Sequence, residues 1–296
     1  MKYSNTTAMN HRYSASYVAS CVGQNPYESL ADKLESCWLK RDSQSYFKFV
    51  NLYKPKDSYL KKVKLLKKSK SSSEAKEAQN IQNDTSLSVE EKVSKIRKIE
   101  KTTLSKEEHE LLIKDVKSNV STKHGIAKEQ SALDIYADST GQVVGKIDKL
   151  MEKEYGTIIV NGKVDGIVQY TSGEYKIVEI KNRTRRLFGK VVNYEYCQVQ
   201  CYLYIHNQKF CDLVENYKGK INIFTIERDD DFIKSMLNVL VEFDKLIGTF
   251  QYSTELWDEY SKSDREHFIL HVIGGEKLVI NYCSEAHASS NETQSS

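Results

Sequence analysis

The stretch from Asn161 to Lys181 reads NGKVDGIVQYTSGEYKIVEIK. Two β-rich runs, Lys163 to Val168 and Tyr175 to Ile180, flank the turn signal Thr171-Ser172-Gly173-Glu174. Upstream, Gly156 to Val160 is a further β-rich run, so Asn161-Gly162 reads as a two-residue hairpin turn. One long strand with a glycine bulge is the alternative. Neighbouring strands joined by a short turn bring Asp165 beside Glu179. Side chains alternate along a strand, so Glu179 and Lys181 share a face, while Ile177, Val178 and Ile180 place the strand in the interior. Two carboxylates and an ammonium at one end of an apolar strand are costly unless paired with each other or with a metal. Magnesium suits such a group, because it takes hard oxygen ligands, keeps several waters and needs only one or two carboxylates plus substrate phosphates.

Working outward, a helix is expected from about Ser121 to Ala137, with Ile126, Ala127, Ala132, Leu133 and Tyr136 on its apolar face and Glu129 near that face. Helical periodicity resumes around Tyr194–His206 and Asp230–Ile247. Residues 198 and 200 lie about 200° apart on a helix, so only one glutamine can face the strand pair. Gln198 shares a face with Tyr194, Cys201, Tyr202 and Ile205; Gln200 is expected to be solvated or to touch a ligand. Ser88-Val89-Glu90-Glu91 and Ser105-Lys106-Glu107-Glu108 both fit capping boxes, opening charged helices over roughly 89–101 and 106–118. Between Lys54 and Lys70 stand eight lysines against one acid, Asp57. Such lysines usually coat a surface, and some could flank a phosphate backbone. The serine-rich run from Ser69 to Ser88 reads as a flexible loop. The fold class is α/β (α+β), a mixed central sheet flanked by helices. One domain over 1–282 is expected, with a lysine-rich, partly flexible helical insertion at about 55–120 and a disordered polar tail at 283–296.

Composition narrows the classes. The chain has 296 residues, 39% of them hydrophobic, which suffices for a sizeable core. No run approaches the roughly 20 apolar residues of a membrane span, and the start lacks the apolar centre of a secretory signal. The six cysteines form no CxxC pair, which favours a reducing, intracellular compartment, cytoplasm or nucleus. Cys197 and Cys201, one helical turn apart, read as small buried thiols rather than metal or cluster ligands. There is no HExxH spacing and no glycine-rich phosphate loop followed by lysine.

Taken alone, the D-x13-E-x-K spacing of Asp165, Glu179 and Lys181 fits a surface ion pair at a strand end. Its neighbours change that reading. Tyr13-Ser14-Ala15-Ser16 with Val22-Gly23-Gln24-Asn25-Pro26-Tyr27, then Gly125-Ile126-Ala127-Lys128-Glu129, Val164-Asp165-Gly166 with Val178-Glu179-Ile180-Lys181, and Cys197-Gln198-Val199-Gln200-Cys201-Tyr202 follow one another in order. Together they resemble the PD-(D/E)xK nuclease superfamily, in its phage lambda exonuclease-like, viral-recombinase (YqaJ-type) branch, with versions from large DNA viruses nearest.

The resemblance implies a restriction-endonuclease-like core and a metal-dependent deoxyribonuclease, a 5′-to-3′ exonuclease on linear double-stranded DNA in recombination or replication processing. A flap-type endonuclease on the same core, or a non-catalytic DNA-binding scaffold, are the alternatives. It implies Mg²⁺, with Mn²⁺ as substitute, two ions per site, held by Asp165, Glu179 and the Ile180 carbonyl, with Glu129 acting through water. Lys181 activates the attacking water and Gln198 orients the site. It also implies double-stranded DNA ends as partner, a trimeric ring, a single-strand annealing protein and, for a viral chain, a host-cell location. Ser14, Ser16 and Arg12 lie near the position that meets a terminal phosphate. Lys163 stands where the phage enzyme has a phosphate-binding serine, and Asn182 where it has a proline. Arg183, Arg185, Arg186 and Lys190, with Leu187 and Phe188 among them, form a basic run suited to phosphate contact.

Overall fold

The computed structural model describes residues 11–280; the expected tail at 283–296, with Cys283, lies outside them. The chain opens with strand β1 (His11–Ser14) and helices α1 (Ala15–Cys21), α2 (Leu30–Arg41) and α3 (Ser43–Tyr53). Helices α4 (Tyr59–Ser69), α5 (Ser73–Asn83), α6 (Val89–Arg97) and α7 (Lys106–Thr140) follow. Strands β2 (Val144–Gly145), β3 (Met151–Tyr155), β4 (Ile158–Gly162), β5 (Gly166–Gln169) and β6 (Tyr175–Asn182) lead to helix α8 (Asn193–His206). Strands β7 (Phe210–Tyr217) and β8 (Lys220–Glu227) precede helices α9 (Asp230–Phe250), α10 (Thr254–Lys262) and α11 (Arg265–Ile273).

The strands form two sheets, ordered β2-β5-β6-β7-β8 and β1-β4-β3. In the larger, β6 and β7 are parallel and the other pairs antiparallel, so the sheet is mixed. The parallel step needs a crossover, which α8 supplies. Ile177 faces the principal core with α8 and α9, whereas Val178 and Ile180 face the other side, against Ala132, Leu133 and Tyr136 of α7. This alternation leaves Glu179 and Lys181 on the α8 side.

Asn161-Gly162 is no hairpin turn: both residues are paired within β4, Gly162 opposite Met151 and Asn161 between Glu152 and Ser14. The turn lies earlier, where Gly156 takes φ +56 between β3 and β4. After Gly162 the chain leaves one sheet and enters the other as β5. Gly162 is required by closeness, because a Cβ there would sit 2.5 Å from Tyr202 Cε1 and 3.3 Å from Ala15 Cβ. The helices expected at 106–118 and 121–137 are one continuous helix, α7, of 35 residues, roughly 50 Å long. Gly125 inside it costs about 1 kcal/mol of propensity against alanine, which packing at both ends of the helix outweighs.

Segment 69–88 is also more ordered than its composition suggests. Ser72 caps α5 by accepting from the Ala75 amide, and Glu74 is buried at the foot of α7. Both expected capping boxes are present, Ser88 with Glu91 and Ser105 with Glu108. Helices α5, α6 and the first half of α7 enclose a second, smaller core built on Ala78, Val93, Ile96, Leu112, Val116 and Val120. The lysines of α4 are largely matched by acids: Lys61 with Glu107 (3.1 Å), Lys62 with Asp32 (2.8 Å) and Lys68 with Glu108 (2.9 Å). Helix α7 therefore ties the charged helices to the mixed sheet as one rod.

Candidate active site

Asp165 and Glu179 meet across the β5–β6 ladder, whose register pairs Gly166 with Val178. The Ile180 amide donates to Asp165 Oδ2 at 2.8 Å. Gly166 keeps the place beside Asp165 open to α7, since a Cβ there would lie 2.9 Å from both Leu133 Cδ2 and Val144 Cγ1. Lys181 donates from Nζ to Glu179 Oε1 (2.8 Å) and to Gln198 Oε1 (2.8 Å). Gln198 in turn donates from Nε2 to Glu179 Oε1 and to the Tyr202 hydroxyl, both at 2.9 Å. The other oxygen of Glu179, Oε2, is buried without a hydrogen-bond partner. A buried carboxylate oxygen left open in this way costs free energy unless something absent from the chain completes it.

The electrostatics agree with the geometry. Burial, together with the nearby Glu179 charge, pushes the Asp165 carboxyl up to about 8. Burial also raises Glu179, and Lys181 only partly opposes it. Lys181 is pulled down by burial, but Glu179 and Glu195 more than offset that, so it stays protonated. As an ammonium it can donate and neutralise charge, but it cannot take a proton. Four acids converge on this side of the sheet, Asp165, Glu179, Glu195 and Glu215, against the two cations Lys181 and Arg183. With all four acids ionised that is a surplus of two negative charges, which favours cation binding. The open Glu179 oxygen and the raised Asp165 thus fit a bound metal. Among the described residues, no three His, Cys, Asp or Glu side chains are gathered into a ready-made metal cage.

Glu129 lies on α7, its carboxylate 3.5 Å from Lys146 Nζ, and its charge raises both Asp165 and Glu179. Asn182, unremarked in the sequence beyond its replacement of proline, holds that helix in place. Its Nδ2 donates to the Gly125 carbonyl at 3.0 Å, and its Oδ1 accepts from Asn216 Nδ2 at 2.7 Å. A proline would lose this tie between the β6 end and the helix carrying Glu129.

Other site residues separate into two groups. Arg183 is withdrawn as a phosphate contact. Its guanidinium donates to Glu195 (2.6 and 2.9 Å) and to Glu215 (2.8 and 2.5 Å), and it lies 3.9 Å from the Phe188 ring centroid. The physical reason is adjacency: Lys181 and Glu215 are ladder partners, so a side chain just beyond Lys181 meets a buried acid. Arg185, Arg186 and Lys190 are exposed and carry no ion pair among the described residues. Lys163 donates to Asp148 at 3.1 Å and Arg12 to Glu152 at 3.2 Å, both pairs at the surface. Ser14 and Ser16 have their hydroxyls 3.0 Å apart. Gln200 is neither solvated nor free: it is fully buried, donates to the Glu227 carbonyl (2.8 Å) and accepts from the Asp229 amide (3.0 Å). Cys197 and Cys201 are buried thiols, and burial pushes Cys197 up to about 12. Tyr202 stands on the Gln198 face as its spacing implies, whereas Glu195 and Glu215 are not marked as site residues by their local sequence; only the ladder and the α8 packing bring them here.

Among solved structures, the chain is similar to SSO0001, at 21% identity and TM-score 0.33, covering 42% of this chain and 63% of that one. It is also similar to LHK-Exo, an alkaline exonuclease from Laribacter hongkongensis, at 18% identity and TM-score 0.39, covering 60% of this chain and 93% of that one. The same similarity holds for LHK-Exo in complex with dAMP. No curated protein matches the chain. A family model described as the YqaJ-like viral recombinase domain matches residues 63–209, through most of the charged helical segment. Those residues include the Glu129 helix, the Asp165–Glu179–Lys181 strands and the Gln198 helix, so the match to the YqaJ-like viral recombinase domain spans the candidate site.

Proposed function

We propose that the chain is a metal-dependent deoxyribonuclease that degrades linear double-stranded DNA from its 5′ ends. The observation that carries this reading is Glu179, buried, with one oxygen held by Lys181 and Gln198 and the other open, beside a carboxyl raised to about 8. Asp165, Glu179 and the Ile180 carbonyl would hold Mg²⁺, or Mn²⁺ in its place, two ions per site, with Glu129 reaching them through water. Bound there, the metal would polarise the phosphodiester, lower the pKa of a water and balance charge on the leaving oxygen. Lys181, kept as an ammonium, donates to the oxygens that gain charge at phosphorus and orients the attacking water. Gln198 fixes Lys181 through its carbonyl and Glu179 through its amide, so both groups are placed before substrate arrives. Arg185, Arg186, Lys190 and Lys163 would supply charge to the DNA backbone, with Arg12, Ser14 and Ser16 on the terminal phosphate.

A trimeric ring, a single-strand annealing partner and a host-cell setting of recombination or replication follow from the family and stand as part of the same reading. No helix among the described residues is long and apolar enough to cross a membrane. The test is cleavage, with Mg²⁺ or Mn²⁺, of 5′-phosphorylated linear duplex, 5′-hydroxyl linear duplex and covalently closed circular DNA. Loss of both linear forms, faster with the 5′ phosphate, and an intact circle are expected. A nicked circle would replace the exonuclease reading by a flap-type endonuclease. Binding without any cleavage would leave a DNA-binding scaffold.

A further inference from the structure

Between β6 and α8 the chain runs through a loop, residues 183–192, which carries the exposed Arg185 and Arg186. Loops gain fixed shape only where their backbone groups find partners. Here the partner is Glu215, a fully buried carboxylate on β7. It accepts from the Phe188 amide (3.1 and 3.0 Å), the Gly189 amide (2.9 Å) and the Arg183 guanidinium (2.8 and 2.5 Å). Asn222 Nδ2 approaches the same carboxylate at 3.4 Å. The two amides lie just beyond the exposed arginines and Arg183 just before them, so one carboxylate closes both ends of the Thr184–Leu187 bend. Phe188 completes the clasp by lying against the Arg183 guanidinium. Gly189, whose amide meets Glu215, holds φ +70, a conformation that side chains resist.

We propose that Glu215 is a positioning residue for DNA binding: it clasps the loop after the catalytic strand so that Arg185 and Arg186 meet consecutive substrate phosphates. It touches no substrate itself. Unclasped, the loop samples many shapes and the two arginines must be ordered at the moment of binding, which weakens affinity. The proposal rests on DNA as the substrate, but it can fail independently of cleavage.

The experiment measures the Kd of the full chain for a linear DNA duplex in Ca²⁺, over a series of salt concentrations. Replacing both arginines (Arg185→Ala with Arg186→Ala) should reduce the slope of log Kd against log salt by about 2, one per phosphate lost. Glu215→Gln keeps the shape of the side chain and should reduce that slope by a similar amount, and the triple variant should lose no more. A merely structural Glu215 would lower thermal stability and leave the slope at its original value, or add to the arginine effect; either result overturns the proposal. If Glu215→Gln does not fold, Gly189→Ala serves instead. It strains the φ +70 turn with open space around the new methyl group, and should lower the slope with only a small fall in melting temperature, about 2–4 °C per kcal/mol of strain. An unaltered slope in that variant would equally overturn the proposal. A parent protein that binds duplex but cleaves none would remove the nuclease reading and leave this one standing.

Discussion

Two buried glutamates set the mixed sheet apart from the charged helices beside it. Glu74, at the start of α5, is 1% exposed and accepts from the amides of Thr102 (2.8 Å), Thr103 (2.7 Å) and Leu104 (3.1 Å) and from the Thr103 hydroxyl (2.6 Å). Burial would raise it, but those bonds win and hold it well below the ordinary carboxylate range. Glu179 is buried to the same degree, 4% exposed, yet one of its oxygens is open and its pKa is raised. The first carboxylate is finished by its own chain and works as a staple between α5 and the entry to α7. The second is left with one oxygen open by its own chain. In this pair, similar burial with opposite satisfaction distinguishes the staple from the site.

The sharpest way to break this contrast is to exchange the consequences. Lys181→Ala and Glu179→Gln should each lower DNA cleavage by at least about 10²-fold while circular dichroism stays native. Cleavage retained in both variants would remove the site assignment. Mg²⁺ should raise the melting temperature of the parent, by about 2.7 kcal/mol of stabilisation at a hundred times its Kd, and much less in Glu179→Gln.

Glu74→Gln should do the reverse. It leaves the staple without its charge, lowers the melting temperature and speeds hydrogen exchange at Thr102–Leu104, with cleavage by the folded fraction preserved. The pH response carries the same sign. Glu108 is held down to about 2, first by the Lys68 ammonium and then by the Ser105 cap, and Glu74 is depressed in the same direction. A depressed folded pKa contributes stability that is whole above the unfolded value, about 4.3, and lost as pH falls toward the folded one. Exchange within 72–120 should therefore rise between about pH 4 and pH 2, and Glu74→Gln should flatten that rise. A pH-independent segment would show that the staple contributes nothing.

The smallest effect expected is at Gln200. Removing its buried bonds to Glu227 and Asp229 with Gln200→Ala should cost about 1–3 kcal/mol in denaturant unfolding. Cleavage at a temperature where the variant is folded should be unchanged, whereas Gln198→Ala should lose activity with little loss of stability. Equal activity losses in the two would erase the distinction between the two faces of α8.

What could be read locally was read correctly where the interactions are themselves local. The capping boxes at Ser88 and Ser105 close within one turn, and the Thr171–Glu174 turn closes through the Gly173 amide on the Tyr170 carbonyl. The alternation that puts Glu179 and Lys181 together needs only a strand. Asn161-Gly162 misled because a favoured turn pair is only a preference, and pairing of β4 between β1 and β3 outweighs it. The break expected between 118 and 121 failed because α7 packs on a different core at each end, and neither core is visible from its own sequence.

By itself, then, the sequence determined the chemistry available: a D-x13-E-x-K strand pair, a glutamate helix before it and a glutamine helix after it. Alternation and helical phase are properties of a few consecutive residues: they put Glu179 and Lys181 on one face and let only one of Gln198 and Gln200 meet them, and the motif resemblance chooses Gln198. Only the tertiary structure decided which charges remain free. Arg183 reads like its neighbours Arg185 and Arg186, but the parallel pairing of β6 with β7 sets it against Glu215, with Glu195 arriving from α8, and so consumes it. The partner of a charge is set by elements distant in sequence, and it is the partner that decides whether an arginine holds the loop or is left free at the surface.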